Sequence, residues 1–147
     1  MNDSTLAVFG KPPPGVVYRD RMAAYAVITN PDGAVAVVSV NFRGREAFWL
    51  PGGGMLDGES PKHTVAREVW EELGREVKLY RTIGQAIQFF YAADDDCWYK
   101  MMAYFFVAEL QRAPAGYSEF ELQWVNPTLH KSDFFHECHV WAALDAT

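Results

Sequence analysis

The chain of 147 residues is half hydrophobic and 15% aromatic, with a formal net charge of −6. That length suits one domain with a real buried core, and the composition excludes a disordered tail or a collagen-like fibre. So acidic a chain has no basic surface on which to hold a nucleic-acid backbone, and it gains little from an anionic membrane. A phosphate-bearing ligand would need neutralising by something other than net protein charge, and a divalent metal is the obvious agent.

Met1–Gly10 has no basic n-region and no apolar stretch of signal-peptide length. No apolar run approaches the roughly 18 residues of a membrane span. Cys97 and Cys138 lie far apart and form no CxxC, so buried free thiols are expected rather than a disulfide or zinc framework. A soluble, reducing, cytoplasmic setting is the expectation that follows.

In chain order, residues 1–17 read as a loose lead-in, because the prolines of Lys11–Gly15 deny the segment a helix or central strand. Residues 18–147 read as the single folded domain. Ala23–Thr29 and Ala34–Val40 are apolar and β-branched around the turn Asn30-Pro31-Asp32-Gly33, which predicts a hairpin. Phe42–Ala47 reads as a polar loop, and Phe48–Leu50 as a short strand ended by Pro51 and three glycines. A helix follows, with Ser60 as cap, Pro61 in the first turn, Gly74 as stop and an apolar stripe of Val65, Val69 and Leu73. Val77–Ala92 and Trp98–Leu110 read as strands joined by a polar tip at Asp94-Asp95-Asp96, for which a calcium loop is the weaker reading. Phe120–Val125 is a further strand. Ser132 or Asp133 would then cap a last helix through Leu144, with Phe135, His139 and Ala142 or Ala143 on one side. This order of strands, helix, strands and helix means α+β or a mixed sandwich rather than regular βαβ winding.

Chemistry concentrates in Gly52–Gly74. Glu68, Glu71 and Glu72 stand at i, i+3, i+4 and project from one face of a helical turn. Like charges at that spacing cost a helix about 0.2–0.5 kcal/mol a pair. Arg67 can offset part of this through Glu71, and a hard divalent cation would offset far more, since Mg²⁺ and Mn²⁺ prefer oxygen ligands. The glycines ahead let the backbone approach a ligand at the helix N-terminus, which already favours phosphate. An ordinary helix with a solvated acidic face would explain the glutamates alone. It would not explain the glycine loop, Glu59 and the Arg67-Glu68 pair together.

The segment resembles the signature box of the Nudix (MutT-like) hydrolases. Gly53 is followed by five residues to Glu59 and seven more to Arg67, after which Glu68, Val69, Glu71, Glu72 and Gly74 fall in register. Two positions depart: Arg75 replaces a bulky apolar residue, with Val77 close enough to take its packing, and Leu56 stands beside Asp57 where many relatives have an acid. The resemblance implies an α/β/α sandwich with a mixed β-sheet. It implies a metal-dependent pyrophosphohydrolase that cleaves a nucleoside di- or triphosphate derivative by water attack at phosphorus. Glu68, Glu71 and Glu72 would bind Mg²⁺ or Mn²⁺ with the Gly53 carbonyl, and Glu59 with Arg67 would form a structural salt bridge, although in some relatives the equivalent of Glu59 also touches metal. The general base stays open between Glu71 and a loop acid, Glu119 or Glu121. Homodimers are common among relatives, and a small-molecule nucleotide is the implied partner. A dinucleoside polyphosphate or nucleotide-sugar hydrolase, or a non-catalytic nucleotide-binding module, are the alternatives; the intact set of box glutamates argues against the module.

Substrate choice is not written in the box. Arg43 and Arg45 are candidate phosphate clamps, with a solvated loop as the even alternative. Phe42, Tyr91, Trp98 and Tyr104 could stack on a base, though core packing is the commoner fate of such residues. Tyr91 lies about where dinucleoside polyphosphate hydrolases of this family carry a marker tyrosine, whereas the proline of ADP-ribose hydrolases and the coenzyme A motif are missing. His63, His130, His136 and His139 make no zinc spacing, and packing is the expected role of His136 and His139. Trp70, outside the apolar stripe, is expected to cap the helix against a neighbouring loop.

Overall fold

The computed structural model describes residues 6–111 and 116–147 of the chain. Among the described residues there are eight strands and two α-helices: β1 Leu6–Phe9, β2 Tyr18–Ile28, β3 Val35–Phe42, β4 Arg45–Trp49, β5 Gly52–Gly54, α1 Pro61–Leu73, β6 Val77–Ala92, β7 Cys97–Leu110, β8 Gln123–Val125 and α2 Glu137–Ala146. One mixed sheet has the order β1-β6-β7-β2-β5, and a smaller one the order β4-β3-β8. The central strand β2 runs parallel to β7 and antiparallel to β5.

The period of two along the central strands sorts their side chains into two cores. Ala23, Tyr25 and Val27 of β2 join Met101, Ala103 and Phe105 of β7 and Cys138, Ala142 and Ala143 of α2. Ala24, Ala26 and Ile28 join Phe106 and Ala108 of β7 and the Val65, Val69 and Leu73 stripe of α1. Each helix thus covers one face of the sheet, which is the expected α/β/α sandwich. A strand buried on both faces reads as an unbroken apolar run, as Ala23–Ile28 does. Val77 packs on the α1 core in the place Arg75 leaves, while the Arg75 guanidinium bonds the Gln111 carbonyl at 2.9 Å.

Several expectations change. The lead-in carries β1, paired in parallel with β6 from Leu6↔Gln85 to Phe9↔Gln88. The turn at Asn30–Gly33 forms, but β2 and β3 enter different sheets and share only the bridge Thr29↔Val35, because β7 and β5 already occupy both edges of β2. Phe42–Ala47 is not a loop. β3 runs to Phe42 and β4 starts at Arg45, closed by a turn in which Arg43 takes φ 53° and the Gly44 N–H donates to Asn41 Oδ1 at 3.0 Å. β8 keeps only Gln123–Val125, with Phe120 and Leu122 packed on the α1 core outside it. Ser132 and Asp133 lie in a 3₁₀ turn, and α2 starts at Glu137. The stretch between is held extended against β4, where the Phe135 N–H donates to the Phe48 carbonyl at 3.0 Å. Both cysteines are free, Cys138 buried and Cys97 partly so.

Candidate active site

The helix signals act as read. Ser60 accepts the His63 N–H, Pro61 occupies the first turn, and Gly74 in the left-handed region (φ 64°) returns its N–H to the Trp70 carbonyl at 2.9 Å. Trp70 lies against the backbone of Gly116, a loop contact as expected. With α1 pinned through Val65, Val69 and Leu73, its acidic face turns to the glycines of β5. A Cβ built on Gly53 would stand 2.8 Å from Glu68 Cδ, so this carboxylate and strand can meet only at a glycine.

Glu59 is the anchor of the loop. Its carboxylate accepts from Arg67 Nε at 2.7 Å and Nη2 at 3.0 Å, from the Leu56 N–H at 2.9 Å and from the Thr64 hydroxyl at 2.9 Å. The Arg67 bonds lead in drawing its pKa down to about 2, so Glu59 is ionised throughout the working range. Arg67 also donates to the Gly54 carbonyl at 3.0 Å, to Glu68 at 3.0 Å and to Glu71 at 2.8 Å. One guanidinium therefore ties loop, strand and acidic face together.

Glu72 is 9% exposed and accepts the Gly52 N–H at 3.0 Å. Burial first, and then the carboxylates of Glu68, Glu119 and Glu71, push its pKa up to about 8 against that hydrogen bond. Burial likewise raises Glu68, against Arg67 and with Glu71 and Glu119. Glu119 reaches this group because its segment is laid on the end of α1: the Phe120 N–H donates to the Glu72 carbonyl at 2.9 Å and the Ser118 hydroxyl donates to the same oxygen at 3.3 Å. Glu121, two residues on, is exposed and is not among the charges acting on Glu68 and Glu72. Glu71 turns to Arg67, and among the described residues no three His, Cys, Asp or Glu side chains are gathered about one point. The donor chemistry nonetheless fits a hard divalent cation: a buried and a half-buried carboxylate, Glu72 and Glu68, that resist ionising beside one another are the groups such an ion relieves.

Beside Glu72 and Gly53 opens a cavity of about 310 Å³. Trp49 and Phe135 stack on its wall at 4.7 Å and 16°, near Phe90, Tyr99 and His136. Arg21 also lines it, with a guanidinium nitrogen 3.3 Å from where a Gly54 Cβ would stand. The sequence reading missed Arg21, Trp49, Phe135 and His136 as cavity residues. Trp49 next to the glycine run was the available hint; the others come from distant segments. The candidates from sequence sit elsewhere. Arg45 donates to the Ser132 carbonyl at 2.6 Å and borders a separate cleft with Asp133 and Phe134. Tyr91 stands at the β6–β7 tip, bonded to Asp96, and Arg43 at the β3–β4 tip is close enough for its charge to act on the Tyr91 hydroxyl. Trp98 packs on Tyr91, and Tyr104 on the α1 core.

Residues 19–139 match the family model of the NUDIX domain. The chain belongs to the NUDIX family. It is a Nudix hydrolase, of a family that acts on nucleoside diphosphate derivatives and generally uses divalent cations. Its fold is that of a NUDIX hydrolase from Nitrosomonas europaea, with TM-score 0.69 at 19% identity over 87% of this chain and 88% of that one. A MutT protein from Methanosarcina mazei Go1 superimposes with TM-score 0.64 at 25% identity over 88% of this chain and 93% of that one. An ADP-ribose pyrophosphatase from Streptococcus suis 89-1591 gives TM-score 0.57 at 16% identity over 86% and 90%. No curated protein matches the sequence. No described helix is long and apolar enough to cross a membrane.

Proposed function

We propose that this Nudix hydrolase is a metal-dependent pyrophosphohydrolase, cleaving a nucleoside diphosphate linked to a further group by attack of water at phosphorus. The observation that carries the reading is the juxtaposition of the Glu68–Glu72–Glu119 acids with an aromatic cavity across Gly52 and Gly53. Acids that hold a cation beside a stacking surface suit a ligand that is polyphosphate at one end and base at the other.

Glu68, Glu71 and Glu72, with the Gly53 carbonyl, would hold Mg²⁺ or Mn²⁺. When bound, the cation supplies Lewis-acid neutralisation of the phosphate oxygens and lowers the pKa of water. Glu59 and Arg67 set the position of the acidic face. Glu119, carried in by its backbone bonds to the end of α1, takes the proton from the attacking water. Arg21, which makes no hydrogen bond or ion pair among the described residues, would face the phosphates as a forked donor.

The test is hydrolysis of modified nucleoside triphosphates, dinucleoside polyphosphates, nucleotide sugars and ADP-ribose with Mg²⁺ or Mn²⁺, read by product identity. Nucleotide release that stops on chelation supports the reading, and no turnover on any of them overturns it. Glu72→Gln should cost at least about 100-fold in kcat. Its melting temperature should not fall, since the amide oxygen still accepts the Gly52 N–H and a buried charge is removed. Near wild-type turnover would remove Glu72 from the site.

A further inference from the structure

Leu50 and Pro51 carry the chain from β4, in the smaller sheet, to β5, in the larger one. The last ladder pair of β4 is Val38↔Trp49, so the Leu50 N–H lies beyond the ladder, and Pro51 has no N–H to give. This crossover is held from both sides. The Ala26 N–H of β2 donates to the Pro51 carbonyl at 2.8 Å, and the Leu50 N–H donates to Nδ1 of His139, on α2, at 3.1 Å. Two residues back, the Phe48 carbonyl accepts the Phe135 N–H at 3.0 Å. A parallel strand running on from there would offer the Phe135 carbonyl to the Leu50 N–H. The chain instead turns into α2 at Glu137, and the His139 imidazole stands in for that carbonyl.

His139 makes this one bond at a cost. The ring is fully buried between Tyr25 at 4.2 Å and Phe105 at 5.9 Å. Burial keeps it neutral, and a nitrogen that accepts carries no proton, so the proton sits on Nε2. That Nε2–H has no partner among the described residues, and a buried donor left unpaired destabilises the fold. Leucine or phenylalanine would pack there without that cost; what neither supplies is an acceptor at Nδ1. The residues flanking the Leu50 bond are the two ends of the cavity. Trp49, stacked on Phe135, is its aromatic wall, and Gly52 and Gly53 lie against Glu72 and Glu68. We propose that His139 is a positioning residue, whose bond to Leu50 fixes the spacing between the stacking wall and the acids so that one nucleotide engages both at once. The proposal rests on the reading that the cavity takes the base and the acids hold the cation. His139 is not among the residues lining the cavity and acts through the Leu50 backbone. A ligand held at two points gains affinity only where their spacing matches its span, and a misplacement of about 1 Å costs about 100-fold in rate.

The bond itself is read by ¹⁵N–¹⁵N coupling across it, from the Leu50 amide to His139 Nδ1, with His139 as the Nε2–H tautomer. Its consequence is read by calorimetry with Mn²⁺ alone, adenosine alone, and the uncleavable α,β-methylene-ADP with Mn²⁺. His139→Leu should leave the affinities for Mn²⁺ and for adenosine within about threefold of wild type, and weaken the joint ligand at least about 10-fold. His139→Asn, whose Oδ1 can replace Nδ1 as acceptor, should recover most of that loss. Should His139→Leu fail to fold, the coupling and the His139→Asn affinities decide. Absent coupling, an Nδ1–H tautomer, wild-type joint binding in His139→Leu, or equal weakening of all three ligands, as a packing role gives, overturns the proposal. So does wild-type protein that binds the joint ligand no tighter than adenosine. Joint binding that depends on His139 without any hydrolysis overturns the proposed reaction and leaves this inference standing; hydrolysis that His139→Leu leaves unchanged does the reverse.

Discussion

At the scale of single residues, two side chains that never meet the reacting phosphorus hold the acidic face in place. Glu59 brings Arg67, the Leu56 amide and Thr64 to one carboxylate. Glu59→Gln should lower the melting temperature and cut kcat/KM by about 10-fold or more, because outer-shell partners tune the groups they orient. Thermal melts and steady-state kinetics check both, and an unchanged melting temperature would sever the pairing from stability. Gly53 is the complementary case, an absent side chain. With 2.8 Å between a Cβ and Glu68 Cδ, Gly53→Ala must displace the carboxylate or the strand. Overpacking of this kind costs about 1–3 kcal/mol. Activity should fall more than stability, and cation affinity measured by calorimetry should fall with it.

At the scale of elements, α1 serves as both wall and platform. Its apolar stripe is sunk in the sheet while the opposite face carries the acids, so anything that loosens the stripe blurs the site. Leu73→Ala, at a position 3% exposed, should cost about 2–5 kcal/mol by denaturant unfolding. It should also weaken catalysis without touching a reacting group, since the Glu119 segment hangs on the last turn of α1 through the Glu72 carbonyl. Equal activity in a clearly destabilised variant would show that the last turn does not position the acids. The β3–β4 turn teaches a related lesson: Arg43 and Arg45 look alike in sequence, yet a two-residue turn places one at a tip and the other on β4 beside Ser132.

For the whole molecule, the core under α2 carries an acid sensitivity. His136 faces Trp49, Phe90, Phe135, His139 and the charge of Arg21, while His139 faces Tyr25, Phe105 and the Leu50 N–H. Burial, reinforced by Arg21, holds His136 down to about 3, and burial keeps His139 well below its ordinary 6.5. The unfolded chain therefore binds more protons below pH 6.5, and their contribution to stability is complete above that pH and lost as pH falls toward 3. His136 should cost about 1.4 kcal/mol per pH unit within that window, and His139 adds to the loss in the same direction. Melting temperature against pH should fall more gently in His136→Phe than in the wild type, and parallel curves would refute the assignment.

The sequence alone located α1 with both its caps, the long β6 and β7 and the acidic face, because each depends on residues close in the chain whose spacing follows the helix or strand period, while the Glu59–Arg67 pair was implied by the resemblance to the family's box. Family membership was legible for the same reason: the box is a local pattern. Strand partners were not, since which edge a strand pairs with depends on which edges others have taken, and the Asn30–Gly33 turn looks the same whether its arms join one sheet or two. Nor was the cavity, assembled from β2, β4, β6 and the approach to α2. Arg21, Trp49, Phe135 and His136 share no spacing along the chain and meet only because the sheets and α2 close on one another.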